Sequence, residues 1–185
     1  MDDGKIIELF FERSEQAITR LSEKYGSTCQ RIAVNILKDE FDAEECVNDA
    51  YLGAWNTIPP QKPNPLLSYI CRIVRNLAIK RYHRNRAVKR NSHYDTSLDE
   101  LENCIPAQNR VEDEVNAIEL AGIIDDFLDG LDKINRVMFV RRYWFSDSVS
   151  DIAALFKMSA HAVTARLSRT RERLRRYLEE RGVTV

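Results

Sequence analysis

Glycine is scarce in this 185-residue chain, with six in all. None of them builds a Gly-x-x-x-x-Gly-Lys-Ser/Thr loop or a dinucleotide fingerprint, so the phosphate cradles of nucleotide-using enzymes are missing. Cysteine is limited to Cys29, Cys46, Cys71 and Cys104. They are widely spaced, with no Cys-x-x-Cys and no histidine pair nearby, which argues against a zinc site or a disulfide framework and for reduced thiols acting as small hydrophobes. No apolar run approaches the roughly 18 residues of a membrane helix, and no signal-like segment opens the sequence; a soluble, cytoplasmic protein is expected. Proline occurs only at 59, 60, 63, 65 and 106. The stretches between are rich in helix formers and poor in β-branched runs, so the fold class is read as all-α. With 44% apolar residues the chain can bury one ordinary core or two small ones.

What is abundant is charge, and it is segregated. The net charge of −1 is the remainder of −6 over residues 1–60, +9 over 61–94, −10 over 95–135 and +6 over 136–185. No acidic residue occurs from Gln61 to Tyr94. Two basic blocks alternate with two acidic ones, the pattern of a chain that meets nucleic acid through separate patches while its acidic stretches meet another partner or shield the basic ones.

The second basic block carries the sharpest local signal. Ile152, Ala153 and Phe156 form one apolar stripe, Met158 fills a corner, and Ser159 can cap a second helix whose inward face is Val163, Leu167, Leu174 and Leu178. That is a helix-turn-helix. On the second helix His161, Ala165, Ser168 and Arg169 point away from the apolar arc, and six arginines stand against one glutamate between Arg166 and Arg176. Such a helix can touch base edges with short side chains while arginines neutralise phosphates; the plain alternative is a solvated basic surface helix. Lys157 occupies the turn position where glycine is favoured for a left-handed backbone.

Toward the N-terminus, Ile6 to Tyr25 reads as one helix or two short ones stopped by Gly26, followed by a helix marked by Ile32, Ala33, Ile36 and Leu37. Asp42 reads as the N-cap of a helix with Ala43, Cys46, Val47, Ala50, Tyr51, Ala54 and Trp55 at helical spacing and Glu44, Glu45, Asn48 and Asp49 on its outer face. A paired-carboxylate catalytic or metal site there lacks a completing histidine or second carboxylate cluster, so by spacing the face is a solvated acidic one. After the proline-rich loop, a helix from about Leu66 to Arg86 would bury Leu66, Ile70, Ile73 and Leu77. Arg72, Arg75, His83 and Arg86 point the opposite way, with Tyr69 and Asn76 at the border. Cations, an aromatic ring and an amide on one track suit DNA with exposed bases. Residues 89–110 look like a flexible linker able to span roughly 70 Å, and a helix from Val111 to Leu128 opens a second domain.

Three stretches in this order, Asp42 to Trp55, Leu67 to Ala78 and Asp151 to Leu174, together resemble an RNA polymerase sigma factor of the sigma-70 family, of the short extracytoplasmic-function type with only regions 2 and 4. The resemblance implies a region 2-like domain over 1–88 and a region 4-like domain over 111–185. It implies that Asp42, Glu44, Glu45, Asn48, Asp49 and Trp55 bind core polymerase at the β′ coiled coil, with the β flap as a further contact. It implies that Asn64, Tyr69, Arg72, Arg75, Asn76, His83 and Arg86 recognise and melt the promoter −10 element. In the same way, His161, Thr164, Ala165, Ser168 and Arg169 would read the −35 element, with Arg166, Arg171 and Arg173 positioning the backbone. A dissociable specificity subunit follows from it, with no catalysis and no cofactor, held by an anti-sigma factor. Tyr69 stands where many relatives have tryptophan. The alternative from another class is a dimeric helix-turn-helix regulator that binds duplex DNA without polymerase. The acidic segment from Asp95 to Asp132 could also fold over the basic faces and weaken free DNA binding.

Overall fold

A computed structural model describes residues 2–85, 93–102, 104–105 and 113–183, the side chains of 93–95, 102 and 113–118 excepted. The chain divides into two compact units, Met1–Ser92 and His93–Val185. Each is built from helices alone, with no strand among the described residues, as the composition predicts.

The first unit contains α1 (Asp3–Phe11), α2 (Gln16–Leu37), α3 (Glu40–Thr57) and α4 (Leu66–Asn85). α2, α3 and α4 pack against one another around Leu21, Ile32, Ile36, Ala50, Ile70 and Val74, all buried. Two sequence expectations are corrected here. Gly26 does not stop a helix: α2 runs through it to Leu37 and ends at Lys38, which takes the left-handed conformation with φ 57°. The glycine serves close packing instead, since a Cβ there would meet the Tyr51 hydroxyl at 3.2 Å and the Ser22 hydroxyl at 3.3 Å. The cap of α3 is Asp39, not Asp42; its carboxylate accepts from the backbone N–H of Phe41 and Asp42 at 3.1 and 3.0 Å. An extended Asp39 satisfies two otherwise orphaned donors and leaves the Asp42 side chain to reach α4.

The second unit contains α5 (His93–Glu102), α6 (Asp113–Asp129), α7 (Lys133–Tyr143), α8 (Val149–Phe156) and α9 (Ala160–Glu179). Its core joins Phe127, Leu131, Met138, Phe139, Ile152, Val163, Leu167, Leu174 and Leu178. The helix-turn-helix is present as read. Ser148 caps α8, Ser159 caps α9 by accepting from the Ala162 N–H at 3.2 Å, and the four inward residues of α9 are buried. α7, which the sequence reading did not assign, is capped by Asp132 and holds α9 through Met138 and Phe139. Within the stretch read as a linker, residues 93–102 form α5 and pack on α7.

Lys157 closes the turn with φ 52° and ψ 43°. A side chain costs about 1 kcal/mol in this conformation, and the greater unfolded-state freedom of glycine offsets part of any relief. Lys157→Gly is therefore expected to stabilise the second unit by about 0.5 kcal/mol, read as a higher urea midpoint at unchanged slope. A lower midpoint would contradict the turn.

Candidate functional site

Two faces of the first unit and one of the second gather the predicted residues. On α3 the acidic set does not behave uniformly. Glu44, Asn48 and Asp49 are exposed. Glu45 pairs with Arg81 of α4 at 2.8 Å, and that hydrogen bond holds its carboxyl below the usual range. The backbone carbonyl of Asp42 accepts from Arg81 at 3.0 Å, while its carboxylate accepts from Asn85 at 3.2 Å. Asp42 and Glu45 thus tie α3 to the C-terminal end of α4. Trp55 is half-buried, 6.1 Å from the Phe10 ring with the Arg13 guanidinium 5.4 Å over its own, so α1 accounts for much of its packing. Sequence reasoning missed Phe41 and Leu52, which are 78% and 56% exposed. With Asn48 they fall at i, i+7 and i+11, one strip down α3 bordered by Glu44 and Asp49. The signal is in the spacing: both Phe41 and Leu52 fall off the apolar stripe of Ala43, Cys46, Val47, Ala50 and Ala54, on the side of the polar outer face.

On α4 the core face is Leu66, Ile70, Cys71, Val74, Ala78 and Tyr82. Ile73 and Leu77, expected in that face, are half-buried, and Ile73 lies beside Gly53 of α3, where a Cβ would come within 3.4 Å. Small and mixed residues fill the middle of the interface because helices approach closely there. Opposite, Arg72, Asn76 and His83 are exposed along one line, with Tyr69 and Arg75 half-buried at its edges. The Tyr69 ring is fixed from two sides: its hydroxyl donates to the Thr57 hydroxyl at 2.7 Å, and the Arg72 guanidinium lies 5.6 Å from its centroid. Asn64 is exposed in the preceding loop, which Lys62 joins to α1 by lying 5.1 Å over the Phe11 ring. Arg86 lies outside the described residues.

On α9, His161, Thr164, Ser168, Arg169 and Arg173 are exposed and Ala165 is half-buried. Arg166 and Arg171, expected to serve as backbone contacts, flank the buried stripe and have partners within the unit. Arg166 donates to the Asn135 side-chain oxygen at 3.2 Å. Arg171 donates to the Tyr143 hydroxyl at 2.6 Å and to Glu100 of α5 at 3.3 Å.

Glu100 is the centre of this network. Its carboxylate also accepts from Arg142 at 2.7 and 3.2 Å and from the Tyr143 hydroxyl at 2.9 Å. Burial alone would raise its pKa, yet Arg142, Tyr143 and Arg171 together hold it below the ordinary value. Burial likewise pushes the Tyr143 phenol up, which keeps it a neutral donor. Arg142 is itself buried and donates to the Asp147 carbonyl at 2.9 Å.

Among the described residues no cluster of three or more His, Cys, Asp or Glu side chains could hold a metal ion, and no helix is long and apolar enough to cross a membrane.

Residues 21–88, which span α2 to α4 nearly entire, match the family model of sigma-70 region 2. The chain is similar to the ECF RNA polymerase sigma factor SigL of Mycobacterium tuberculosis, recorded for three strains, with 25% identity over 174 residues covering 92% of this chain and 94% of that protein. Among solved structures it is similar to CnrH in complex with the cytosolic domain of CnrY, at 21% identity, a TM-score of 0.45 and coverage of 96% and 97% of the two chains.

Proposed function

From a chain whose residues 21–88 match sigma-70 region 2 and which is similar to an ECF sigma factor along most of its length, we propose a member of the sigma-70 family that acts as a promoter-selecting subunit and recruits core RNA polymerase. The observation that carries the reading is the family match over the α2–α4 bundle, which contains both outward faces just described. The strip of α3 around Phe41, Glu44, Asn48, Asp49 and Leu52 docks on the β′ subunit. The line of α4 through Tyr69, Arg72, Asn76 and His83 receives the −10 element: the cations hold phosphates, the fixed ring accepts an unstacked base and the amide meets a base edge. Region 4 is assigned to the second unit, where His161, Thr164, Ala165, Ser168 and Arg169 read the −35 element. Ala165 and Ser168 are small, so apolar contacts and DNA shape weigh more than bidentate hydrogen bonds. Domain limits of 1–88 and 111–185, a β flap contact and an inhibitory anti-sigma protein belong to the same proposal, which assigns the chain no catalytic step.

Purified chain mixed with core polymerase and fragmented genomic DNA tests this by run-off transcription; discrete starts that require the chain are expected. Protection of a palindrome by the chain alone, with no dependence on core, would instead establish a dimeric regulator. In the same assay Arg72→Ala with Asn76→Ala is expected to keep core binding and to lower the fraction of opened promoter about tenfold or more, read by permanganate reactivity of unpaired thymines. Unchanged opening removes α4 from the melting step.

A further inference from the structure

The acidic helix α5 stands against the flank of α9 that faces Ser168 and Arg171. Glu100 takes both Arg142 and Arg171, and Asp99 and Glu100 line one side of a cleft of about 460 Å³ whose other side is Ser168, Arg169, Arg171 and Arg175, with Glu172 as the one acidic residue among them. Two of these residues, Ser168 and Arg169, belong to the outward face of α9. A duplex laid along that face brings phosphates to Arg171, the arginine of α9 that Glu100 now serves, and two carboxylates at the rim repel them. We propose that α5 is an intramolecular mask: docked, it competes with the DNA backbone for the C-terminal half of α9, and it must swing away for that half to engage a duplex.

The mask rests on the reading of α9 as the DNA-contacting helix, so its test separates the two. Neutralising Glu100 removes the competing charge at nearly constant volume. In the full chain, Glu100→Gln is expected to tighten binding to a fluorescein-labelled 30-base-pair duplex about three- to tenfold, with the slope of log affinity against log salt steeper by about one as an additional arginine reaches a phosphate. Asp99→Asn, whose side chain is exposed and whose loss leaves Arg142 paired, is expected to tighten binding by about twofold. Arg169→Ala is the control for the reading, and should weaken binding in every background. If Arg169→Ala weakens binding while neither acidic variant tightens it, the mask is overturned and the reading of α9 stands. If Arg169→Ala leaves binding unchanged, the reading of α9 fails and the mask with it.

Cys104 gives a readout that needs no acidic variant. It is buried two residues beyond α5, with its thiol directed to the Glu100 carbonyl at 4.0 Å, whereas Cys29, Cys46 and Cys71 are buried in the first unit. If α5 swings away on binding, saturating duplex DNA should speed N-ethylmaleimide labelling of Cys104 several-fold, located by mass spectrometry, and leave the other three thiols unlabelled. Slower or unchanged labelling at Cys104 in the DNA-bound chain means that α5 stays docked, and overturns the mask.

Discussion

A chain carrying Phe41→Asp and Leu52→Asp is expected to lose affinity for core polymerase by about 100-fold or more while keeping its melting temperature within about 2 °C. Both side chains project from α3 with most of their surface in water, so the folded chain gives up little when they are removed. In a complex, two apolar anchors near the centre of a patch supply a disproportionate share of the binding energy, commonly 2 kcal/mol or more each. The acidic neighbours Glu44 and Asp49 act differently. Exposed charges at a rim set the encounter rate and the salt dependence, and Glu44→Gln should slow association with a modest effect on dissociation. Surface plasmon resonance against immobilised core separates the two. Equal loss of stability and binding in the double variant would mean that the strip serves the fold and not a partner.

The largest effect on folding is expected at Arg142. Its guanidinium is buried, makes a two-pronged contact with Glu100 and donates to the Asp147 carbonyl. Arg142→Met keeps the volume but strands a partly buried carboxylate and a carbonyl, and removing one partner of such a pair costs about 3 kcal/mol or more. In a unit of under a hundred residues that corresponds to a fall in melting temperature of roughly 15 °C. Because the first unit has its own core, its transition should stay where it is, and calorimetry of the variant should show two events where one moves. A loss under about 1 kcal/mol would show that Tyr143 and Arg171 hold Glu100 without Arg142.

How much of this was legible beforehand depended on whether a residue answers to local or tertiary physics. The helix-turn-helix was readable because caps and apolar spacing are local: Ser159, Val163, Leu167, Leu174 and Leu178 fall where a helix of period 3.6 puts them. The left-handed turn at Lys157 was readable for the same reason. Gly26 was misread because glycine serves either a helix end or a close approach, and only the packing of Tyr51 against α2 decides between them. The core face of α4 was set one notch off because Cys71, Ala78 and Tyr82 carry a weaker apolar signal than Ile73 and Leu77, yet fit the narrow gap between helices. The candidate sites followed suit. Exposed α4 and α9 positions came out of periodicity. The ties of Asp42 and Glu45 to Arg81, and of Arg171 to Glu100, join residues 36 or more positions apart and leave no trace in spacing. α5 itself is a short polar helix, held by the ion pairs of Glu100 and by Leu101 packed on the core rather than by a full apolar stripe, so periodicity has little to register.

The chain has two tryptophans, and they fall one to each unit: Trp55 in α3 and Trp144 at the end of α7. Trp55 sits under a guanidinium against α1, while Trp144 follows directly on Arg142 and Tyr143. Intrinsic emission can therefore be assigned without attached dyes. With Trp144 replaced by phenylalanine, the remaining signal watches the bundle through Trp55; with Trp55 replaced, it watches the neighbourhood of the Glu100 network. The protein thus carries an optical channel for each half, through which docking on a partner and release of α5 can be timed separately in one molecule.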